Sequence, residues 1–307
     1  MRIKGKKDAI YNDCECTNCI ISQNRSKLMI ADAVIFYIGI RNERMGEYPP
    51  INASNRNPNQ AWIFTSVEPP EHYYNSDYMS PLWQSTMNWS CLYRLDSDIP
   101  NPYGFLIPSS GVDMIDYNTI YDKKTRNALW MVSHCQVASA RRQFVLEMIR
   151  NGFNVDIFGG CSSNGRKIDT RELKQIIPLY KFVLAFENSL CTDYISEKYF
   201  NNYNSSWIIV VRGGADYNRL LPTDTYINTS DFKDISTLVN FLSKLGNDRL
   251  RYINYLKIKS KYVSIRWPGN KHCEICRRLN NLKQYRKSYA DLNLYLNNQC
   301  YRPYDLD

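Results

Sequence analysis

The stretch KFVLAFENSLCTDYISEK, residues 181–198, decides the fold that we expect for this chain. It begins with an apolar run, KFVLAF, which is typical of a strand buried on both faces of a parallel sheet. In open α/β sheets, ligands bind beyond the carboxyl ends of the strands, so the residues that follow form a candidate binding loop. The polar and aromatic side chains beyond the strand are Glu187, Asn188, Tyr194, Glu197 and Lys198.

Strand and helix patterns alternate around this stretch, which is typical of a parallel sheet with helices on both faces. We predict an α/β fold, and the length of 307 residues favours two domains. The predicted strands are 31–40, 61–70, 128–134, 154–160, 181–186 and 206–214, and the predicted helices are 140–152, 169–180, 193–203 and 235–246. Residues 88–104 are turn-rich and polar, so they are predicted to form a functional loop.

The predicted domain boundary lies near residue 127, where the second alternation begins. Residues 1–127 would form the first domain and residues 128–279 the second. Residues 280–307 would form a tail that could pack back on the first domain. Two α/β domains that face each other would leave a cleft, which is the usual place for a ligand.

The charge of the chain disfavours a nucleic-acid partner. The formal net charge is +9, from 39 basic and 30 acidic residues, but the basic residues are dispersed. A phosphate backbone usually requires a clustered basic stripe. A single anionic ligand such as a nucleotide diphosphate needs only a few well-placed cations.

The ten cysteines favour disulfides and an oxidising compartment. Cys14, Cys16 and Cys19 lie near the start, and Cys273 and Cys276 lie near the end. The alternative is a zinc site built from both ends, since two short-spaced cysteine pairs also match zinc ligands. Five sequons agree with a secretory route, at Asn24, Asn52, Asn88, Asn204 and Asn228.

Targeting signals are not evident in the sequence itself. No stretch reaches the ~18 consecutive apolar residues of a membrane span. Residues 1–10 lack the apolar core of a signal peptide. We therefore expect any targeting segment of a secretory protein to be missing from this sequence.

The residues after the central strand have the chemistry of a sugar-phosphate site. Asp193 is predicted to cap a helix on which Tyr194, Glu197 and Lys198 share one face. A helix N-terminus and a lysine favour a phosphate, and a nearby carboxylate suits sugar hydroxyls. The alternative is that Glu197 and Lys198 form a solvated surface pair while Tyr194 packs on a neighbour.

A second candidate feature lies at the start of the helix predicted at 140–152. Ser139 or its neighbourhood could cap this helix, with Arg141 and Arg142 in the first turn. Cations there oppose the helix dipole by up to ~1 kcal/mol each, which a diphosphate would compensate. Paired arginines are also common on surfaces, so that interpretation stays open.

Glu68 is the candidate general base, because it precedes Pro69 and Pro70. Proline fixes its own φ and biases the preceding residue to extended geometry, so Glu68 is expected on a stiff segment. A fixed carboxylate opposite a sugar phosphate suits a general base. A glutamate in this position can equally be structural or merely exposed. His72 is less suited, because nothing in the sequence orients it.

Together these segments resemble the α1,3-fucosyltransferases, an inverting family that transfers L-fucose from GDP-fucose to N-acetylglucosamine or related sugars. The likeness runs from about Asn12 to Leu279 and is strongest in residues 181–198, which look like the FEN loop and DYxTEK helix of the family. Supporting matches are RNPNQAWIFTSVEPPEH (56–72), NWSCLYRLDSDIPNPYG (88–104), WMVSHCQVASAR (130–141), FKDISTLVNFL (232–242) and CEIC (273–276).

The resemblance implies a GT-B architecture, with two Rossmann-like domains facing across a cleft and the donor held by the C-terminal one. By resemblance, Glu68 is the general base and Arg141 contacts the donor phosphates, with Arg142 as the fallback. The resemblance also implies donor binding by Asn188, Tyr194, Glu197 and Lys198.

The resemblance further implies that no metal or cofactor is obligatory, because the family manages its leaving group with cationic side chains. A divalent metal is expected at most to stimulate. Asp96 and Asp98 have the DxD form of a metal motif, but in the family that segment lies on the acceptor side. The expected location is the Golgi lumen, normally as a type II membrane protein, with the anchor absent from this sequence.

The predicted reaction is inverting transfer of L-fucose from GDP-β-L-fucose to a glycan acceptor on a glycoprotein or glycolipid, forming an α1,3 linkage to N-acetylglucosamine. The segment VEPPEH resembles the Lewis-type members of the family more than those that modify the core of N-glycans, and this resemblance favours N-acetyllactosamine-like acceptors. Two alternatives stay open: a catalytically inactive, lectin-like paralogue that binds glycans, and a GT-B transferase that uses another nucleotide sugar. The sequence departs from the family at Pro69, His134, Ser196 and Ile209, where serine, asparagine, threonine and proline are usual.

Overall fold

The computed structural model describes residues 9–10, 14–39, 48–52, 55–73, 77–111, 115–165, 167–267 and 269–306. The strands are β1 Ala9–Ile10, β2 Ile20–Ile21, β3 Ala33–Tyr37, β4 Ala61–Ser66, β5 Trp89–Leu92, β6 Gly104–Pro108, β7 Arg126–Met131, β8 Val155–Phe158, β9 Tyr180–Phe186, β10 Leu190–Cys191, β11 Ile208–Arg212, β12 Tyr226–Asn228, β13 Tyr262–Arg266 and β14 Cys300–Tyr301. The helices are α1 Tyr117–Asp122, α2 Arg141–Arg150, α3 Thr170–Ile176, α4 Glu197–Tyr203, α5 Tyr217–Leu220, α6 Ile235–Asn247, α7 Arg249–Lys259, α8 Lys271–Asn280 and α9 Leu292–Leu296.

The described residues fall into two compact units. The first contains the chain up to Pro102 and Trp267–Gln299, and the second contains Tyr103–Arg266 and the chain from Cys300 onward. These limits differ from the predicted boundaries at residues 127 and 279. The reason is that β6 pairs antiparallel with β13 inside the second unit, whereas α8 and α9 contribute to the cores of the first.

The second unit is built on a five-stranded parallel sheet with the order β12-β11-β9-β7-β8. Alternate residues of β9 enter different cores: Phe182, Leu184 and Phe186 pack on one face, and Val183 and Ala185 on the other. Helices α2, α6 and α7 cover the first face, and α3 and α4 cover the second. Each large apolar side chain buried this way contributes about 1.5–3 kcal/mol. The predicted doubly covered parallel sheet is confirmed.

The strand order places a topological switch point between β7 and β9. The chain leaves β7 for β8 on one side and then crosses to β9 on the other. The loops that follow β7 and β9 therefore diverge and leave a crevice at the carboxyl edge of the sheet, where doubly wound proteins bind ligands. Residues 132–140 and 187–196 form these two loops.

The first unit has a parallel sheet with the order β3-β4-β5 and a core on each face. Two disulfides, Cys14–Cys273 and Cys19–Cys276, tie its N-terminal segment to α8. The predicted disulfides are thereby confirmed in place of the zinc alternative. The second unit adds Cys135–Cys161 and Cys191–Cys300.

Two local predictions are wrong. Residues 88–104 are not all loop, because β5 lies in this segment and its four residues are buried against β4. The helix predicted at 193–203 begins only at Glu197. Within the described part of the chain, no helix combines the length and apolar character needed to cross a membrane.

Candidate active site

A buried carboxylate organises the loop after β9. Glu187 is 1% exposed, and its carboxylate accepts hydrogen bonds from the Ser196 backbone N–H at 2.8 Å and from the Ser196 hydroxyl at 2.7 Å. The ammonium of Lys198 lies 3.4 Å from the same carboxylate. A buried charge is tolerated only when it is paired and hydrogen-bonded, and all three contacts serve that purpose. Glu187 therefore fixes the end of the loop against the start of α4.

Lys198 is held among acidic groups at the edge of the crevice. Its ammonium also donates to the Ser196 hydroxyl at 2.8 Å and to the Glu197 carboxylate at 3.1 Å. Although desolvation lowers the pKa of Lys198, the charges of Glu187 and Glu197 raise it above the ordinary value. The predicted pair of Glu197 and Lys198 exists, but the lysine side chain is only 24% exposed. It is not a solvated surface pair.

The residue that caps α4 is Ser196, not Asp193 as predicted. The Ser196 side chain accepts from the Lys198 backbone N–H, as N-cap residues do. Asp193 has φ +58°, and its carboxylate pairs with Arg219. Tyr194 therefore precedes the helix and does not share a helical face with Glu197 and Lys198. Its ring is buried and packs edge-on against Tyr103, with the ring centroids 6.2 Å apart.

Arg141 enters the same crevice from the loop after β7. It is 3% exposed, and its guanidinium donates to the carbonyl oxygens of Phe186 at 2.7 Å and His134 at 3.0 Å. Burial lowers the pKa of Arg141, and the charges of Glu187 and Glu197 oppose this effect. Arg142, the fallback, is exposed on the outer face of α2.

The cap of α2 was predicted at Ser139 or its neighbourhood, and it lies at the adjacent residue, without a side-chain contact. The N-cap of α2 is Ala140, which has φ +49° and no side-chain hydrogen bond. The Ser139 hydroxyl instead donates to the Glu187 carbonyl oxygen at 2.7 Å, and the Ser139 N–H donates to the Asn188 carbonyl oxygen at 3.1 Å. Ser139 thus joins the two loops of the switch point to each other.

Three polar atoms at this point are buried without a hydrogen-bond partner among the described residues: Arg141 Nε, Asn188 Oδ1 and Ser189 Oγ. Buried polar groups are nearly always paired, so such atoms call for an explanation such as a ligand. Arg141 forms no ion pair within the described chain, although its charge interacts with Lys198. A desolvated cation with an unused donor beside a second cation suits an anion with several acceptor oxygens.

Glu68 belongs to the first unit. It follows β4 at the carboxyl edge of the parallel sheet, and Pro69 after it is extended, with φ −73° and ψ 160°. The Glu68 N–H donates to the Ser66 hydroxyl at 3.1 Å, which fixes the backbone beside the carboxylate. This hydrogen bond links the backbone of Glu68 to the last residue of β4.

Asp96 and Asp98, the DxD-like residues, form hydrogen bonds and ion pairs with other residues of the first unit. Asp98 accepts hydrogen bonds from the Ser90 N–H at 2.9 Å, the Tyr289 hydroxyl at 2.6 Å and the Lys287 ammonium at 2.9 Å. Asp96 pairs with Arg94. These contacts hold the segment in place within the first unit.

Comparison with known proteins decides the family. The model "Glycosyltransferase family 10 (fucosyltransferase) C-term" matches residues 121–295, and the model "Fucosyltransferase, N-terminal" matches residues 3–104. This chain is a family 10 fucosyltransferase. It is therefore a glycosyltransferase, as the resemblance of its motifs implied.

Relatives of this fucosyltransferase include alpha-(1,3)-fucosyltransferase C of Drosophila melanogaster, which is 29% identical over 94% of this chain and 71% of that protein. The human 4-galactosyl-N-acetylglucosaminide 3-alpha-L-fucosyltransferase FUT6 is 32% identical over 87% of this chain and 73% of that protein. A crystal structure of an alpha1,3-fucosyltransferase with GDP is similar in fold, with a TM-score of 0.53, 14% identity and coverage of 83% of this chain and 80% of that one. The fold of the fucosyltransferase is therefore GT-B.

Two of the four departures from the family pattern have a simple structural account in this fucosyltransferase. Ser196 caps α4 through its hydroxyl, which a threonine would supply equally. His134 contacts Arg141 through its backbone carbonyl, so the identity of its side chain does not alter that hydrogen bond. Ile209 lies inside β11 and is buried.

Sequence reasoning missed Arg212, a buried cation of the fucosyltransferase that contacts the loop before Arg141. It ends β11 and is 2% exposed, and its guanidinium donates to the Ser139 carbonyl oxygen and to the Asp305 carboxylate. The signal in the sequence was an arginine that directly follows the apolar run of a predicted strand. Glu187 was noted in the sequence but was not assigned a role.

Proposed function

We propose that this fucosyltransferase transfers L-fucose from GDP-β-L-fucose to a glycan acceptor that contains N-acetylglucosamine, with inversion and formation of an α1,3 linkage. The proposal depends above all on one observation: Arg141 is a buried cation without an acidic partner in the described chain, and its Nε–H is unused. A buried charge without a direct ion pair is costly, and a diphosphate would supply that pair. The position at the switch point of a parallel sheet supports the same ligand.

In the proposed reaction, Glu68 takes the proton from the acceptor hydroxyl as that oxygen attacks the anomeric carbon of fucose. The bond from the anomeric carbon to the diphosphate oxygen breaks at the same time, and GDP leaves with the bonding electrons. A single displacement converts the β-linked donor into an α-linked product, as in other inverting glycosyl chemistry. Arg141 and Lys198 stabilise the negative charge that develops on GDP.

We infer that Asn188, Tyr194 and Glu197 complete the donor site. The Asn188 Oδ1 atom is a buried acceptor that a donor hydroxyl or amine could satisfy. The Glu197 carboxylate suits the hydroxyl groups of fucose. Because two cations stand where the leaving group would lie, the reaction should need no divalent metal, although a metal could stimulate it.

The acceptor that we favour is N-acetyllactosamine-like. The resemblance of the segment VEPPEH to Lewis-type members supports this choice, and the human relative at 32% identity is named as an enzyme that acts on 4-galactosyl-N-acetylglucosaminide. The four disulfides support an oxidising compartment, and we propose the Golgi lumen.

A transfer assay with labelled GDP-fucose over an acceptor array, with and without EDTA, tests this function. Glu68→Gln should lower kcat by about 100- to 10,000-fold, because general-base catalysis contributes that much, and GDP should bind with unchanged affinity. Glu71→Gln is the matched control, since Glu71 is an exposed glutamate three residues away. Normal turnover by the Glu68→Gln protein would refute the role of the base. Glycan affinity without any response to GDP would favour the lectin-like alternative, and a panel of nucleotide sugars separates other donors.

A further inference from the structure

The C-terminal segment Cys300–Leu306 is attached to the loop that follows β9. Strand β14 pairs antiparallel with β10, with Leu190 opposite Tyr301 and Cys191 opposite Cys300. A disulfide also joins Cys191 to Cys300. This loop carries the proposed donor-binding residues, so the segment is covalently bound to the candidate site.

The glycine loop after β11 packs against the same place. A Cβ atom added to Gly214 would lie 2.3 Å from the backbone nitrogen of Cys191, so only glycine allows this close approach. The Tyr301 hydroxyl donates to the Gly213 carbonyl oxygen at 3.4 Å. The C-terminal segment therefore contacts the ends of both β9 and β11.

Arg212 is the buried group that this segment neutralises. The Arg212 guanidinium donates to the two carboxylate oxygens of Asp305, at 2.7 Å from Nη2 and 3.2 Å from Nε. It also lies over the ring of Phe144 at 4.7 Å. A bidentate pair of this kind has a fixed geometry, and loss of one partner would leave an uncompensated buried charge.

The remaining nitrogen of Arg212 reaches the loop that leads to Arg141. Nη1 donates to the Ser139 carbonyl oxygen, two residues before Arg141. Ser139 in turn donates to the carbonyl oxygens of Glu187 and Asn188. One guanidinium thus connects the C-terminal segment to both loops of the switch point.

We propose that Asp305 and Arg212 are positioning residues of the donor site: Asp305 orients Arg212, which fixes the Ser139 backbone and, through it, Arg141. This inference rests on the proposed function, because it assigns to Arg141 the donor diphosphate. It extends that function to the C-terminal segment, which contributes no group to the reacting atoms. Donor affinity should therefore depend on Asp305, which lies 93 positions after Arg212 in the sequence.

The test compares Asp305→Asn with the wild type in the complete chain, by calorimetry with GDP and by steady-state kinetics with GDP-fucose. The Kd for GDP and the KM for GDP-fucose should rise about 3- to 30-fold, the usual range for residues that act through a neighbour. The kcat should fall as well, because Arg141 stabilises the charge that develops on the leaving GDP, whereas the KM for the acceptor should stay within twofold. Asp305→Glu should restore the donor KM toward the wild-type value, and Cys300→Ser should change it in the same direction as Asp305→Asn.

Asp122→Asn is the matched control. It removes the same charge from an exposed pair with Arg249 in the same unit, and exposed pairs contribute little. If Asp305→Asn lowers only the melting temperature or the active fraction and leaves the donor KM and the GDP Kd unchanged, the segment is merely structural and the inference is wrong. In that case the proposed function still stands. A wild-type protein that binds no GDP would overturn both.

Discussion

Lys124 and Lys259 lie in one buried pocket at the amino edge of the parallel sheet. The Lys259 ammonium donates to the carbonyl oxygens of Ser205 and Trp207, and the Lys124 ammonium donates to the hydroxyl of Ser206 between them at 3.2 Å. Neither lysine forms an ion pair with a residue that the structure describes. Burial lowers the pKa of each to about 7, and for Lys259 the charge of Lys124 adds to this effect.

This pocket should make stability depend on pH above neutrality. An unfolded lysine titrates near 10.4, so between about pH 7 and pH 10 the unfolded state binds more protons than the folded state. The free energy of unfolding therefore rises with pH in that window. Lys259→Met should remove the part of this rise that Lys259 contributes, which is up to about 1.4 kcal/mol for each pH unit in that window. Urea denaturation at pH 7 and pH 9.5 measures it.

Lys257→Met is the control for that experiment, because Lys257 is exposed on the same helix. It should leave the pH dependence unchanged. Parallel stability curves for the wild type and the Lys259→Met protein would contradict the assignment of a neutral buried lysine above pH 7.

Arg141 should be required for the affinity of the donor nucleotide. Arg141→Lys keeps the charge but loses the planar set of donors that reaches Phe186 and His134. We expect the Kd for GDP to rise about 10- to 100-fold, because hydrogen bonds to charged groups contribute roughly 1.5–3 kcal/mol. Calorimetry measures the Kd, and a circular-dichroism melt checks the fold. Arg142→Lys, one residue along and exposed, should bind GDP normally; equal losses in both variants would argue against a specific contact.

Ser196 should tolerate threonine but not alanine. Its hydroxyl donates to Glu187, accepts from Lys198 and caps α4. Ser196→Ala should destabilise the protein by about 0.5–2 kcal/mol and raise the donor KM, because Lys198 loses a contact that orients it. Ser196→Thr keeps the hydroxyl and should retain stability and KM. Thermal melts and kinetics on the two variants are the measurement, and a threonine variant as impaired as the alanine variant would exclude the hydroxyl as the cause.

The disulfides of the first unit should contribute strongly to its stability. Cys14–Cys273 closes a loop with a sequence separation of 259, and loss of a native disulfide typically costs 2–5 kcal/mol. Cys273→Ser should lower the melting temperature, and dithiothreitol should lower that of the wild type. Cys16→Ser is the control, because Cys16 is unpaired. A melting temperature that falls with a chelator rather than with a reductant would revive the zinc alternative.

The central strands of the second unit could be predicted from the sequence because each is an apolar run bounded by polar residues. The run KFVLAF is nearly the whole of β9. The strand β5 was missed because its segment is rich in polar residues, and its burial depends on distant partners. Trp89 donates its indole N–H to the carbonyl oxygen of Tyr285 at 2.8 Å, a contact that no local pattern contains.

In the candidate site, too, contacts between residues that are close in the sequence could be predicted, whereas contacts between distant residues could not. The motif after β9 predicted the segment that holds Asn188 and Lys198, because the strand, the loop and the helix are consecutive in the sequence. The cap was misplaced by three residues because Asp193 and Ser196 are both good N-cap residues, and the choice depends on the buried Glu187. Arg212 could not be assigned, because its partner Asp305 enters from the far end of the chain.

Neither compact unit is formed by one continuous segment of the chain. A fragment made of residues 103–266 would hold all five strands of the larger sheet, yet it would lack Asp305 and the cysteine that partners Cys191. The buried guanidinium of Arg212 would then lose the carboxylate with which it pairs. Exchange of the donor-binding unit between relatives would therefore have to carry residues 300–306 together with residues 103–266.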